Sequence, residues 1–361
     1  MRVLMNALNA GNRSGTGRYI TELAKALLNN ESDNEYYFVW PDNLAAPVPG
    51  CEEHLIRKSA SPLFRLFYEH KGIDGLGRNM KADMVHYPTG IGPRFSRLPV
   101  MLTVHDMCFF HHPEWFSPSR ALYYRGTMAA GIHRANHIIA DSQATAEDII
   151  HFMGIPEERI DVVPLGVDAC FAPASTEEKQ RVCQQNNLPE RFFLFVGTLE
   201  PRKNLARLIQ ARSMVRDKVP PLVIAGRHGW GDMISFPPDI IRLDHIAQEH
   251  LPALYSAATA FIWPSLMEGF GLPPLEAMAC GTPVLTSNTS SLPEVVGDAA
   301  IKVDPLAVDA LADGMVALAQ DDALGERLRR KGLERAAGFT WRSTAEKTVA
   351  VYEKVFLRLS Q

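Results

Sequence analysis

The sequence predicts an α/β protein of two doubly wound parallel sheets, over residues 1–172 and 173–340, facing each other across a cleft. Three observations predict it. At about 150 residues per domain, a chain of 361 residues suggests two domains. Short apolar runs alternate with amphipathic stretches along almost the whole length, the pattern of βαβ units. The alternation breaks over residues 169–187, where Pro173, Ala174, Ser175 and Thr176 lead into a charged, Gln- and Asn-rich stretch.

Before the break, the strand candidates are residues 3–5, 37–40, 84–87, 100–104, 137–140 and 160–163. After it they are residues 192–196, 222–225, 260–263, 283–286 and 300–303. Helix starts are legible: Ser142 precedes a helix over 143–152, and Thr340 precedes a final helix over 341–359. The turn from Val163 to Asp168 closes the first series, which puts the domain boundary near residue 172. Ligands on doubly wound sheets bind at the carboxyl ends of the strands, so the site is expected between the two sheets.

Composition excludes several classes. A hydrophobic fraction of 46% with 22% charged residues suits a globular enzyme and argues against a disordered or coiled-coil chain. The 37 Lys and Arg against 41 Asp and Glu leave a net charge of −4, so no global basic field draws the protein to nucleic acid. No apolar run reaches the roughly 18 residues of a membrane span. Asn6 and Asn9 interrupt the apolar N-terminus, so no signal peptide is expected. Five cysteines without a C-x-x-C pair form neither a zinc pattern nor a disulfide framework, which points to a cytoplasmic protein.

The chemistry concentrates in two stretches of the second half. The strand 260–263 runs into a loop with Gly269 and Gly271, then a helix over 272–280 with Pro273 and Pro274 in its first turn and Gly281 beyond its end. Two glycines before a helix start let backbone N–H groups approach an anion. Glu268 and Glu276 bracket this device. Ionised carboxylates accept sugar or ribose hydroxyls; on spacing alone, an exposed loop Glu268 and a helix-dipole Glu276 serve equally well. The second stretch, Val196-Gly-Thr-Leu-Glu-Pro-Arg-Lys-Asn204, ends a strand and opens a helix over 205–215. Arg202 and Lys203 sit against the dipole of that helix start, a placement that suits a diphosphate better than a solvated surface.

In the first half, Thr103-Val-His-Asp106 ends a buried strand, so His105 points toward the cleft. The first strand leads into Asn9-Ala-Gly-Asn-Arg-Ser-Gly-Thr-Gly-Arg-Tyr19. No acidic residue follows at the offset of roughly 20 residues that a nicotinamide dinucleotide needs, so such a cofactor is disfavoured.

The string from Glu268 to Glu276 closely resembles the E-x7-E motif of the GT4 family of retaining glycosyltransferases, which pair two Rossmann-like domains in the GT-B fold. The resemblance runs over nearly the whole chain and is strongest over residues 192–300. It implies that Glu276 binds the nucleotide ribose, that Glu268 contacts the transferred sugar, and that the Gly269-Phe270-Gly271 backbone meets sugar and diphosphate. Lys203 falls on the lysine of the family's phosphate-binding loop. Many members carry Arg directly after the glycine, where this chain has Thr198; Arg202 is the substitute charge. Gly15, Thr16 and Gly17 match the family's glycine-rich loop over the donor phosphates. His105 matches the histidine that contacts the donor sugar, with Asp106 as its orienting neighbour.

The resemblance further implies transfer with retention of configuration, the departing phosphate acting as base, with no protein nucleophile, no metal and no other cofactor. It implies domain closure around the donor and a last helix that returns to the first domain. The wording G-T-G-R-Y, T-V-H-D and V-G-T-L-E-P-R-K-N looks most like bacterial mannosyltransferases of polysaccharide and O-antigen assembly. The expected donor is GDP-mannose, its base read by main chain near residues 243–246, and the expected acceptor a saccharide or lipid-linked saccharide. A nucleotide-sugar 2-epimerase and a non-catalytic nucleotide-sugar-binding protein are the alternatives. Residues 57–97 carry eight Lys and Arg against three acids, with aromatic and basic residues interleaved over 63–68. That composition suits an interfacial helix on the anionic inner face of a membrane, and equally a core-facing helix with solvated charges.

Overall fold

A computed structural model describes residues 1–12, 15–59, 61, 64, 67–231, 236–244 and 246–360. The chain divides into two compact units, residues 1–166 with 340–361, and residues 167–339.

The first unit holds a seven-stranded parallel sheet in the order β3-β2-β1-β4-β5-β6-β7. Its strands are β1 (Arg2–Asn6), β2 (Glu35–Pro41), β3 (Leu55–Lys58), β4 (Met84–Tyr87), β5 (Val100–Val104), β6 (His137–Ala140) and β7 (Ile160–Val162). The second holds a six-stranded parallel sheet in the order β10-β9-β8-β11-β12-β13. Its strands are β8 (Phe193–Val196), β9 (Leu222–Ala225), β10 (Ile240–Leu243), β11 (Ala260–Trp263), β12 (Val284–Ser287) and β13 (Ala300–Val303). Both sheets are doubly wound, as the alternating pattern predicts. Their central strands are largely apolar because both faces are covered. β5 and β11, for example, are buried at every position.

Two strands escape the sequence pattern, β3 and β10. Each lies at a sheet edge, is only partly buried, and carries cations (Arg57 and Lys58, Arg242) that break the apolar run. Charge on an edge strand blocks unwanted pairing, which is why these segments do not read as strands.

The units part between Gly166 and Val167, earlier than the expected boundary near 172. Packing explains the difference. Val167 N–H donates to the Phe339 carbonyl at 3.0 Å, the Phe171 ring packs against Tyr255, and Ala174 N–H donates to Ser256. The helix Trp341–Ser360 belongs to the first unit, where Thr344 Oγ1 donates to the Pro164 carbonyl at 2.9 Å. Thr340 Oγ1 accepts from Ser343 N–H at its start, and Ser142 Oγ likewise accepts from Thr145 N–H ahead of helix Gln143–Met153.

The cationic stretch 57–97 is several elements: the end of β3, a π-helical turn (Tyr68–Gly72), a helix (Ile73–Asn79) and β4. Asp74 gathers part of its charge, accepting from the Arg78 side chain and from Arg97 N–H. Of the interleaved segment 63–68, residues 63, 65 and 66 lie outside the described residues; Phe64 and Phe67 are exposed. Among the described residues, no helix is long and apolar enough to cross a membrane.

Candidate active site

The candidate residues fall into two groups, one in each unit, and each group is built where strand ends come together.

In the second unit, β8 lies between β9 and β11. The chain leaves β8 toward β9 on one side and later returns as β11 on the other, so the order reverses between β8 and β11. At that switch point the two following loops diverge and leave room for a ligand at the strands' carboxyl ends. The loops are stitched together. Leu266 N–H donates to the Arg202 carbonyl at 2.7 Å, and the Asn204 side chain donates to the Pro264 and Pro305 carbonyls.

This stitching sets Arg202 and Lys203 against Glu268. Lys203 Nζ donates to Glu268 Oε1 at 2.6 Å, and Arg202 Nη1 donates to Glu268 Oε2, also at 2.6 Å. Arg202 Nε donates to Glu200 Oε1 at 3.0 Å. Lys203 also sits 4.4 Å from the centroid of the Trp263 ring, a cation–π contact. Glu200, Lys203 and Glu268 are all buried. Burial acts to raise the Glu268 carboxyl, but Arg202 and Lys203 outweigh it and hold the group down at about 2. Burial, with repulsion from Arg202, pushes the Lys203 ammonium down. Glu200 is pushed up by burial against the pull of Arg202 and Lys203. The result is a compact group of two cations and two carboxylates with little access to water. Glu268 is therefore not the exposed loop carboxylate that its spacing alone allowed.

The loop beyond Glu268 is held by Ser291, whose hydroxyl donates to the Glu268 and Phe270 carbonyls at 2.9 and 2.8 Å. Gly269, Phe270 and Gly271 are buried. Gly271 has φ +109°, in the left-handed region, and a Cβ there would press on Leu292. The helix Leu272–Ala279 starts immediately after it. Pro273 and Pro274 carry no N–H, so only Leu272 and Leu275 keep backbone donors in its first turn. This start is poorer in anion donors than two glycines before a helix suggest, and the positive charge of the site rests on side chains. Glu276, one turn along, is buried and accepts from Tyr255 Oη at 3.1 Å. Thr198 is exposed on the loop after β8. Of the expected base-reading stretch 243–246, Leu243 ends β10 and residue 245 lies outside the described residues.

In the first unit, His105 follows β5 and is clamped on both ring nitrogens. Nδ1 lies 2.6 Å from Asp141 Oδ2, and Nε2 lies 2.9 Å from the Pro88 carbonyl oxygen. A carbonyl only accepts, so Nε2 carries a proton; the Nδ1–Asp141 bond needs a second one. Burial lowers the affinity of His105 for that proton, but the Asp141 carboxylate outweighs burial and raises it.

Asp106 is not the orienting group. Its Oδ1 accepts from Cys108 N–H at 3.0 Å and opens the short helix Cys108–His111. Asp141 follows β6, which pairs with β5 in the register Val104↔Ala140, so His105 and Asp141 emerge side by side. Comparing the residue after each paired strand finds this partner in the sequence.

Of the glycine-rich loop, residues 13 and 14 lie outside the described residues. Gly15 is exposed, Thr16 half-buried and Gly17 buried at the start of helix Gly15–Leu28. A Cβ on Gly17 would collide with the Asn12 carbonyl oxygen, so the close turn requires glycine there. Tyr19, two residues on, places its ring edge-on to His105 with centroids 4.9 Å apart. Tyr19, Asp141, Glu200 and Tyr255 are the site neighbours that motif reading does not single out. Among the described residues, no group of three His, Cys, Asp or Glu side chains is arranged to hold a metal ion.

Comparison with known proteins places these groups in context. Residues 176–335 match the family model described as glycosyl transferases group 1, and residues 13–170 match that of Glycosyltransferase Family 4. The chain is similar to O-antigen chain mannosyltransferase B of Escherichia coli, with 32% identity over 94% of this chain and 96% of that protein. Among solved structures it is similar in fold to sucrose-phosphate synthase from Thermosynechococcus elongatus (TM-score 0.78, 20% identity, 99% of this chain and 100% of the other). Anabaena Alr3699/HepE, solved in complex with UDP-glucose, is similar as well (TM-score 0.76, 19% identity, 98% and 100%).

Proposed function

Because the chain belongs to the GT4 family of glycosyltransferases, with the GT-B fold, we propose that it transfers mannose from GDP-mannose to a saccharide or lipid-linked saccharide hydroxyl, with retention of configuration.

The observation that carries this reading is the double hold of Lys203 and Arg202 on Glu268 at the β8–β11 switch point. Two cations with little access to water are aimed at one acceptor. A donor diphosphate brings oxygens that compete for the same N–H groups, and its charge grows as the glycosidic bond breaks. Lys203 and Arg202 then stabilise the leaving diphosphate, which is electrostatic preorganisation toward the charge that forms. Glu268, released from part of its pairing, accepts sugar hydroxyls. Glu276, oriented by Tyr255, takes the ribose hydroxyls. The Gly269-Phe270-Gly271 backbone meets sugar and diphosphate, with Thr198 beside the phosphates and Gly15, Thr16 and Gly17 as the covering loop. His105 serves the donor sugar.

In the reaction, the bond from the anomeric carbon to the phosphate oxygen breaks and the acceptor oxygen bonds on the same face. The acceptor proton passes to the departing phosphate. The side-chain cations take the place of a metal. Similarity to the Escherichia coli O-antigen chain mannosyltransferase B supports mannose, and supports transfer over 2-epimerisation or binding alone.

A thermal-shift panel of GDP, UDP, ADP and their sugars tests the donor. A ligand at 100 times its dissociation constant adds about 2.7 kcal/mol of stability. GDP-mannose should give the largest shift, and a larger one from a UDP or ADP sugar overturns the donor assignment. GDP release that depends on added acceptor, with an α-linked product from the α-linked donor, tests transfer and retention.

The same reading places the protein at the cytoplasmic face of a membrane, through the cationic stretch 57–97 with exposed Phe64 and Phe67. Co-sedimentation with anionic liposomes should be strong at low salt and weak at high salt; absence at both rules it out.

A further inference from the structure

Four fully buried side chains in the first unit form a single line of hydrogen bonds that the transfer reaction leaves unexplained. Tyr352, on the C-terminal helix, places Oη 2.6 Å from His86 Nδ1. His86, on β4, places Nε2 2.8 Å from Thr103 Oγ1 on β5. The Thr103 hydroxyl lies 3.0 Å from Tyr19 Oη. Tyr19, in turn, sets its ring edge-on to His105 at 4.9 Å, with planes 80° apart. Trp341, the first residue of the same C-terminal helix, also neighbours the Tyr19 ring, with centroids 6.2 Å apart.

We propose that the C-terminal helix is a positioning element of the His105 site, with Tyr352 fixing the Tyr19 ring, and through it the imidazole, by way of His86 and Thr103. The inference rests on the reading that His105 serves the donor sugar.

The chemistry of the line supports coupling along its length. Burial, with the charge of His105 adding, pushes His86 down to about 3, so its ring is neutral. A neutral imidazole donates on one nitrogen and accepts on the other. With Nδ1 accepting from Tyr352, Nε2 donates to Thr103, and the other tautomer reverses both bonds. Removing a hydroxyl at one end leaves a buried donor or acceptor without a partner, and the remaining groups must reorient together. Thr103 lies on β5 one residue before the strand ends, and His105 follows directly after that end, so a shift of the Thr103 backbone is carried into the residue that bears the imidazole. Asp141 and the Pro88 carbonyl hold the nitrogens of the His105 ring, and Tyr19 packs against the ring in a T-shaped contact. Simple filling of a core would need no hydroxyls here, and phenylalanine and valine would pack with less penalty.

The test compares Tyr352→Phe, Thr103→Val and Thr103→Ser with the parent protein in the full chain. The readouts are the His105 imidazole resonance and its pH titration in protein labelled with carbon-13 histidine. Turnover with GDP-mannose and a mannose-ended oligosaccharide is followed alongside. Tyr352→Phe and Thr103→Val should move the His105 resonance and titration and lower kcat by about fivefold or more, with the donor KM unchanged. Thr103→Ser, which keeps the hydroxyl, should restore both. A parent-like His105 signal and kcat in Tyr352→Phe and Thr103→Val overturns the proposal. So does a loss of activity in Thr103→Val that Thr103→Ser does not recover. His105→Ala separates the two claims: parent-like turnover in that variant defeats the assignment of His105 to the donor, while the resonance shifts still decide whether the helix positions the ring.

Discussion

Lys203 Nζ stands 2.6 Å from Glu268 Oε1, and both groups are buried. A pair withdrawn from water in this way adds little net stability, because desolvation offsets attraction. Its value lies in holding charge in place. Glu268 holds the ammonium in the loop after β8, and in the proposed reaction the donor diphosphate takes over part of that hold.

Replacing Lys203 with Ala tests that role. Arg202 still satisfies Glu268 through Oε2, so the carboxylate is not orphaned and the second unit should fold. Turnover should drop by about a hundredfold to a thousandfold, the usual cost of deleting one preorganised donor. Steady-state rates with GDP-mannose measure it. A kcat within a few-fold of the parent would mean that the leaving group departs elsewhere.

Glu268 predicts a dependence of stability on acid. Its carboxyl is held at about 2 against an ordinary 4.5, so the folded state resists protonation that the unfolded chain accepts. The stabilisation is complete above about 4.5 and disappears as pH falls toward about 2. Glu268→Gln leaves the buried Lys203 and the half-buried Arg202 with less countercharge and should cost on the order of 3–5 kcal/mol near neutrality. The Tm gap between parent and variant should therefore narrow on acidification below about pH 4.5. A gap of constant size from neutral pH to about pH 3 contradicts the pairing.

Glu276 tests the nucleotide half of the site. Its carboxylate is buried and turned by the Tyr255 hydroxyl, so it is pre-set to accept from hydroxyl groups. Glu276→Ala should weaken GDP binding by about tenfold or more, a charged hydrogen bond being worth roughly 1.5–3 kcal/mol. Tyr255→Phe, which removes that hydroxyl donor, should have a smaller effect of the same sign. Calorimetric titration with GDP reads both, and equal affinity in all three proteins removes Glu276 from the ribose.

How much of this was legible in the sequence follows from what each feature depends on. The buried strands were legible because a strand covered on both faces is apolar along nearly its whole length, as in β11, while β5 departs only at Thr103. The edge strands β3 and β10 were not, because exposure lets them carry Arg57, Lys58 and Arg242. Arg202, Lys203, Glu268 and Glu276 stood out by type and spacing at strand ends. That Glu268 bridges both cations was hidden, since it depends on β8 and β11 being neighbours, a pairing between residues 65 apart in Lys203 and Glu268. The misassignment of Asp106 has the same root. Sequence adjacency suggested it, but strand pairing puts Asp141 beside His105.

Asp141→Asn isolates the proton of His105. In the parent, burial lowers the imidazole and Asp141 more than compensates, with Asp106 adding in the same direction; His86 is neutral and Tyr19 presents only its ring. Asparagine keeps the shape and can donate its amide N–H to Nδ1, while Nε2–H still donates to the Pro88 carbonyl. The variant therefore accommodates a neutral ring without an unpaired nitrogen, and burial alone should pull the imidazole below its ordinary value. The sign follows. In the parent, the raised affinity contributes stability below the ordinary histidine range near 6.5 and loses it as pH rises through the folded value. If the doubly protonated ring is the working form, the alkaline limb of the kcat profile should move to lower pH in Asp141→Asn, by about one unit or more. Histidine resonances followed from pH 5 to 9 should show the same displacement. A limb that stays in place while the resonance moves would mean that the ring acts by position and not by charge.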